Sequence, residues 1–199
     1  MIFEEALSPL QCESIADSAE FIQLDVNSLN QPMMTSKHTD LAHQLIESAI
    51  RDRQQLIEDH YKAKIQNIDL TRVQWQDSTV APAAVCDNSV RVKDKWLRIH
   101  NRDLTALLFL SDYNERPPFD SDFEVYGGKI EFPSHQFGFN PIRGTMVLYP
   151  SDPHFAHVFS KISLGNLFIT KTFIQLNPPL IYKPSDFPGS WQQWLEGVV

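Results

Sequence analysis

Helical patterning in the first third of the chain, followed by eight or nine short strands, predicts an α+β domain. The strands are expected to form a sandwich or jelly roll, with the helices packed on one sheet. Three observations carry this prediction. Leu41, Leu45, Ile46, Ala49, Ile50, Leu56 and Ile57 recur at helical spacing. After residue 68 the texture becomes short apolar or alternating runs. Turn clusters such as Asn114-Glu-Arg-Pro-Pro and Tyr126-Gly-Gly separate those runs.

Ser8-Pro9-Leu10-Gln11 is a helix start: Ser8 can cap, proline suits the first helical position, and Gln11 can close a capping box. That helix is expected to reach about Glu20. Asn27 to Ser36 is mostly polar and reads as loop. A long amphipathic helix is expected from Thr39 to about Tyr61. His38, His43 and His60 belong to this region and read as solvent-edge or packing histidines rather than ligands.

The expected strands are Leu70–Trp75, Val80–Cys86, Lys95–Ile99, Leu104–Leu110, Gly128–Phe132, Gln136–Phe139, Thr145–Tyr149, Ala156–Lys161 and Leu167–Gln175. From Asn177 onward a proline-rich tail is expected to lie over the barrel, tied down by Trp191 and Trp194. The sequence thus divides into a helical part (1–68), a jelly-roll core (69–176) and a tail (177–199) of one domain. At 199 residues such a domain can bury a sizeable core.

The net charge of −8 weighs against duplex nucleic acid, whose phosphates need a basic face. Arg91, Lys93, Lys95 and Arg98 are interrupted by acidic Asp94 and follow Asp87, so they read as a solvated loop. No run approaches the length of a membrane span, and Met-Ile-Phe-Glu-Glu lacks the order of a signal peptide. Two cysteines, Cys12 and Cys86, make neither a disulfide framework nor a zinc site. A cytoplasmic setting is the default expectation. There is no nucleophile elbow, phosphate loop, Cys-x-x-Cys or His-Glu-x-x-His.

Four segments, read in order, carry a family resemblance. Asn101-Arg-Asp-Leu-Thr-Ala-Leu-Leu-Phe-Leu-Ser-Asp-Tyr-Asn114 is similar to the Arg-Asp-x-Ser/Thr-Ala-x-Leu-Tyr-Leu-Asn strand of the prolyl-hydroxylase-like Fe(II)/2-oxoglutarate oxygenases. Tyr126-Gly-Gly-Lys-Ile-Glu-Phe132 resembles that branch's Gly-Gly-Glu-x-x-Phe strand. Pro141-Ile-Arg-Gly-Thr-Met-Val-Leu-Tyr149 resembles its Pro-x-x-Gly-x-x-Val-x-Phe strand. Leu7 to Ile15 is similar to its leading helix. The resemblance covers roughly residues 3 to 176 and implies a double-stranded β-helix, with Fe(II) and 2-oxoglutarate as cofactors.

The family holds iron with a His-x-Asp pair and a distant histidine, leaving three coordination positions open. By resemblance the distant histidine falls on His157, eight residues before Gly165, with His154 the competing assignment. The His-x-Asp pair best matches Val85-Cys86-Asp87-Asn88. Asp87 takes the carboxylate position and Val85 stands where the histidine belongs. In a strand, residues 85 and 87 face the same way, so an isopropyl group would meet the iron. His100 with Asp103 is an alternative pair, although two intervening residues make its side chains diverge.

The buried Arg or Lys that pairs with the 2-oxoglutarate carboxylate falls on Leu167. Burying that carboxylate unpaired costs about 3–5 kcal/mol, or roughly two to three and a half powers of ten in affinity. Lys171, four residues on and on the same strand face, is the substitute anchor. Trp75 replaces the tyrosine of the family's Tyr-x-Pro-Gly strand. These departures imply an oxygenase-fold protein that is catalytically atypical or inactive and binds a small molecule or peptide in the old cavity. An active hydroxylase would need His154 or His100 as a ligand and Lys171 as an anchor. A cupin-like binding or isomerase function is a third reading. Loops 87–95 and 114–126 would set the substrate.

Overall fold

The computed structural model describes residues 1–18, 22–24, 33–36, 40–79, 82–93, 95–117, 119 and 121–181. In chain order, β1 (Ile2–Phe3) precedes α1 (Pro9–Asp17), and β2 (Ile22–Leu24) and β3 (Met33–Ser36) precede α2 (Asp40–Arg51) and α3 (Gln54–Tyr61). The long β4 (Lys64–Gln76) leads to the hairpin β5 (Ser89–Val92) and β6 (Lys95–Arg98), then to β7 (Leu104–Phe109). Short strands follow: β8 (Asp112–Tyr113), β9 (Glu124–Tyr126), β10 (Ile130–Phe132) and β11 (Phe137–Phe139). The last are β12 (Met146–Pro150), β13 (Val158–Phe159), β14 (Leu164–Gly165) and β15 (Leu167–Asn177).

A seven-stranded sheet runs β1-β12-β7-β15-β4-β3-β2, and two three-stranded sheets run β11-β10-β13 and β14-β9-β8. The middle strands of the large sheet, β12, β7 and β15, are covered on both faces, which is why β7, Leu-Thr-Ala-Leu-Leu-Phe, is wholly buried rather than half polar. Its period of two divides the core. Leu104, Ala106 and Leu108 join the helix-side cluster with Cys12, Ile15, Ile46 and Ile50. Leu107 and Phe109 join the inner cluster with Ile130, Phe132, Leu167 and Ile169. Met146 and Leu148 of β12 face the helices, whereas Val147 and Tyr149 face inward. The inward, odd-numbered positions of β7, β12 and β15 therefore furnish the site.

The capping box of α1 is formed: the Gln11 amide donates to Ser8 Oγ and the Ser8 amide donates to Gln11 Oε1. The helix stops at Asp17, short of Glu20. The single helix expected from Thr39 to Tyr61 is two, broken at Asp52 and Arg53. There the Arg53 amide bonds Ile50 O, and its guanidinium returns to Ala49 O at 2.9 Å, taking a carbonyl the helix would otherwise use.

Met33–Ser36, expected as loop, is strand β3. It pairs with β4, so an available sheet edge overrides its local composition. The β region opens at Lys64, earlier than residue 68. Of the strand expected at Val80–Cys86, the described residues 82–86 form none. Pro82 offers no ladder amide, and among the described residues of that stretch only Val85 pairs, with His157. Gly165 adopts φ +78, and a Cβ there would strike the Glu124 carbonyl, so this turn requires glycine. His38, Trp191 and Trp194 lie outside the described residues. No described helix is long and apolar enough to cross a membrane.

Candidate active site with a buried lysine

The inner positions converge on Asp87. Val85 and His157 exchange both backbone hydrogen bonds, at 2.8 and 3.0 Å, as an isolated bridge that sets their two segments side by side. Asp87 Oδ2 lies 3.9 Å from His157 Nε2. Between them sits the Lys171 ammonium, 2.8 Å from Asp87 Oδ1 and 2.9 Å from His157 Nε2. Thr105 Oγ1 and the Tyr149 hydroxyl donate to Asp87 Oδ2, at 2.9 and 3.1 Å. With its proton given to Asp87, Thr105 accepts from the Ser151 hydroxyl at 2.8 Å. Asp87, His157, Tyr149, Thr105, Ser151 and Lys171 are all buried.

These contacts fix protonation. His157 Nδ1 faces the Phe155 carbonyl at 3.1 Å, and a carbonyl can only accept, so the proton sits on Nδ1. Nε2 is then free to accept from Lys171. Burial, and next the Lys171 charge, push the imidazole down to about 4, so it stays neutral at ordinary pH. Burial also pushes the Asp87 carboxyl upward. The Lys171 charge, His157 and the hydrogen bonds from Lys171 and Thr105 outweigh it and bring the carboxyl to about 2. Burial, then Asp87, raises the Tyr149 phenol well above 10, so it remains a donor.

The loop that carries Asp87 is pinned from outside. Arg102 donates to Asp87 O at 3.0 Å while its guanidinium lies 3.6 Å from the Phe173 ring centroid. Asn88 donates to Arg102 O and its amide bonds Ser151 O. Aromatic rings wall the imidazole, with Tyr149, Phe132 and Phe159 at centroid distances of 5.2, 5.7 and 6.1 Å.

Asp87, His157 and Lys171 are thus brought together; Val85 pairs with His157 through the backbone, but its side chain is exposed rather than facing inward with Asp87 as expected. Leu167 is fully buried in the inner apolar cluster. Lys171, expected at a cosubstrate, has its ammonium on Asp87 and His157 instead. Trp75 is on β4, where its indole donates to Asn166 Oδ1 at 3.0 Å. His154 sits in a short helical turn, with its ring and amide both on Asp152 Oδ1. His100 is exposed, and Asp103 is held by Arg98 and by the Leu176 and Leu180 amides rather than by His100. Cys86 donates to Ser151 O and burial pushes its thiol up to about 12, so it offers no thiolate.

Among the described residues no three His, Cys, Asp or Glu side chains group to hold a metal ion. The remaining pair, Asp87 and His157, has an ammonium between its donor atoms. This donor set does not fit a resident Fe(II) ion, which takes three protein ligands in the arrangement the resemblance implies.

Sequence reading missed Thr105, Tyr149, Ser151 and Arg102. Thr105 and Tyr149 lie inside the quoted motifs, and their odd-numbered phase on β7 and β12 was the available signal. Beside the cluster an apolar groove of about 560 Å³ opens, lined by Phe132, His135, Phe155, Tyr149, Tyr61 and Ile2 among others. Its size is that of a small-molecule site.

No protein-family model matches the sequence, and no curated protein matches it either. Solved structures do. A viral collagen prolyl hydroxylase from Paramecium Bursaria Chlorella virus-1, in a 2-oxoglutarate complex, is 17% identical with a TM-score of 0.59. That match covers 87% of this chain and 93% of the viral one. A Pseudomonas putida prolyl-4-hydroxylase is 12% identical, TM-score 0.56, covering 88% of this chain and 91% of its own. A prolyl hydroxylase from Trichoplax adhaerens, in complex with a hypoxia inducible factor peptide fragment, is 13% identical, TM-score 0.59, covering 89% and 84%. The chain therefore has the double-stranded β-helix fold of the prolyl-hydroxylase-like Fe(II)/2-oxoglutarate oxygenases.

Proposed function

We propose that this is an oxygenase-fold protein without Fe(II)/2-oxoglutarate turnover, which binds a small molecule or peptide in the groove beside the old site. One observation carries the reading. Val85 stands directly opposite His157, bonded to it in both directions, at the position where the family's first histidine would sit. Its isopropyl group coordinates nothing. Leu167 supports the same conclusion, because a 2-oxoglutarate carboxylate reaching it would meet the apolar side chains of the inner cluster.

Binding without oxidation keeps what the fold still offers: an apolar, aromatic-lined groove that shares Tyr149 with the hydrogen-bonded cluster. The free cysteines, Cys12 and Cys86, are in keeping with a cytoplasmic setting. The active alternative requires His154 or His100 as a substitute ligand; His154 would have to leave Asp152, and Lys171 would have to leave Asp87 to serve as the anchor.

Supplied with Fe(II), 2-oxoglutarate, ascorbate and oxygen, the purified protein should form no succinate above the protein-free control. Iron-dependent succinate that disappears in Asp87→Ala would overturn the reading.

A further inference from the structure

We propose that the Lys171 ammonium is the resident cation of this barrel: it takes the place between Asp87 and His157 that a metal ion would need and keeps divalent ions out. This rests on the reading above and goes beyond it by naming what holds the site in place of iron.

A buried carboxylate needs a counter-charge, and the lone pair of a neutral imidazole needs a donor. Lys171 satisfies both at once, with Nζ 2.8 Å from Asp87 Oδ1 and 2.9 Å from His157 Nε2. A divalent ion bound by the same atoms would sit about 2.0–2.2 Å from each, inside the volume Nζ fills. Strand phase aims the lysine there: Leu167, Ile169 and Lys171 share the inward face of β15, and Lys171 is in register with Leu107 of β7. In the β15–β4 ladder the register shifts beside it, between Thr170 and Thr172.

Thermal unfolding of the full chain, with Co(II) absorption as a second readout, tests this. The wild-type Tm should be unmoved by a chelator, by Co(II) or by n-propylammonium. Lys171→Met keeps the stem without the charge and should lower Tm by roughly 6–20 °C. Lys171→Ala removes three methylenes and the ammonium, and its Tm should rise again with n-propylammonium or Co(II). Co(II) should then show ligand-field bands, and these should vanish in Lys171→Ala/Asp87→Asn.

Stoichiometric Co(II) binding by the wild type overturns the proposal, as does a Lys171→Met variant with the wild-type Tm. These two measurements decide it even if Lys171→Ala does not fold. A folded Lys171→Ala protein that responds to neither cation also overturns it. Iron-dependent succinate from the wild type would refute the absence of turnover. A wild type silent in that assay, with an unresponsive Lys171→Ala, would refute only the role given to Lys171.

Discussion

Lowering the pH from 6.5 towards 4 is expected to remove about 3 kcal/mol of folding stability through His157. The unfolded imidazole titrates near 6.5, whereas in the folded barrel burial and the Lys171 charge depress it to about 4. Between these values the unfolded chain binds a proton that the folded one refuses. The His157 contribution is therefore whole above pH 6.5 and is lost progressively as pH falls to about 4. Asp87 adds a second, more acidic loss. Its carboxyl is held at about 2 against 3.8 ordinarily, so its stabilisation is present above 3.8 and fades as pH falls towards 2. Urea unfolding at a series of pH values measures the slope. His157→Gln, which keeps an acceptor for Lys171 but does not titrate, should flatten it above pH 4. A slope that survives in His157→Gln would assign the acid sensitivity elsewhere.

Asp87→Ala is expected to destabilise the barrel by about 3–5 kcal/mol, lowering Tm by roughly 6–20 °C. The carboxylate collects three donors, Lys171, Thr105 and Tyr149, and its loss strands a buried ammonium and two buried hydroxyls. The double change Asp87→Leu with Lys171→Met should recover the part of the loss that comes from the stranded charge, because an apolar pair leaves no buried ion, while the Thr105 and Tyr149 hydroxyls stay without the carboxylate. A double-mutant cycle on these two positions measures their coupling. If the double variant is as unstable as the sum of the single ones, the two charges do not act as a pair.

Much of the scaffold was legible because its signals are local. The capping box at Ser8 and Gln11, the apolar runs of β7 and β12, and the glycine turn at Gly165 each require specific residue types in short spans. Non-local pairing is what escaped. Met33–Ser36 becomes a strand only because β4 offers an edge, and the stretch before Asp87 loses its ladder at Pro82 while Val85 keeps a single partner 72 positions away. The helix break at Arg53 depends on a side chain folding back on its own helix, which periodicity does not register.

In the site, the sequence named Asp87, His157, Val85, Leu167 and Lys171, and the structure joins Asp87 and His157 through Lys171, with Val85 paired to His157 by its backbone alone. The sequence could not say where the lysine's flexible four-carbon stem would end. Strand phase gives the face, not the partner. The choice between a cosubstrate carboxylate and Asp87 is made by electrostatics: in a buried pocket the nearest permanent anion captures the ammonium. Thr105 and Tyr149 were hidden for a related reason. Each reads as an ordinary strand residue until Asp87 arrives from a separate segment to accept its proton.

The central claim, that the chain has no working iron and cosubstrate site, is tested most directly by anaerobic titration of the wild-type protein with Fe(II) and 2-oxoglutarate. When both chelate in such a fold, a weak visible charge-transfer band develops. The account predicts no band at any ratio of the two. A band that saturates with one equivalent of iron and disappears in Asp87→Ala would contradict it.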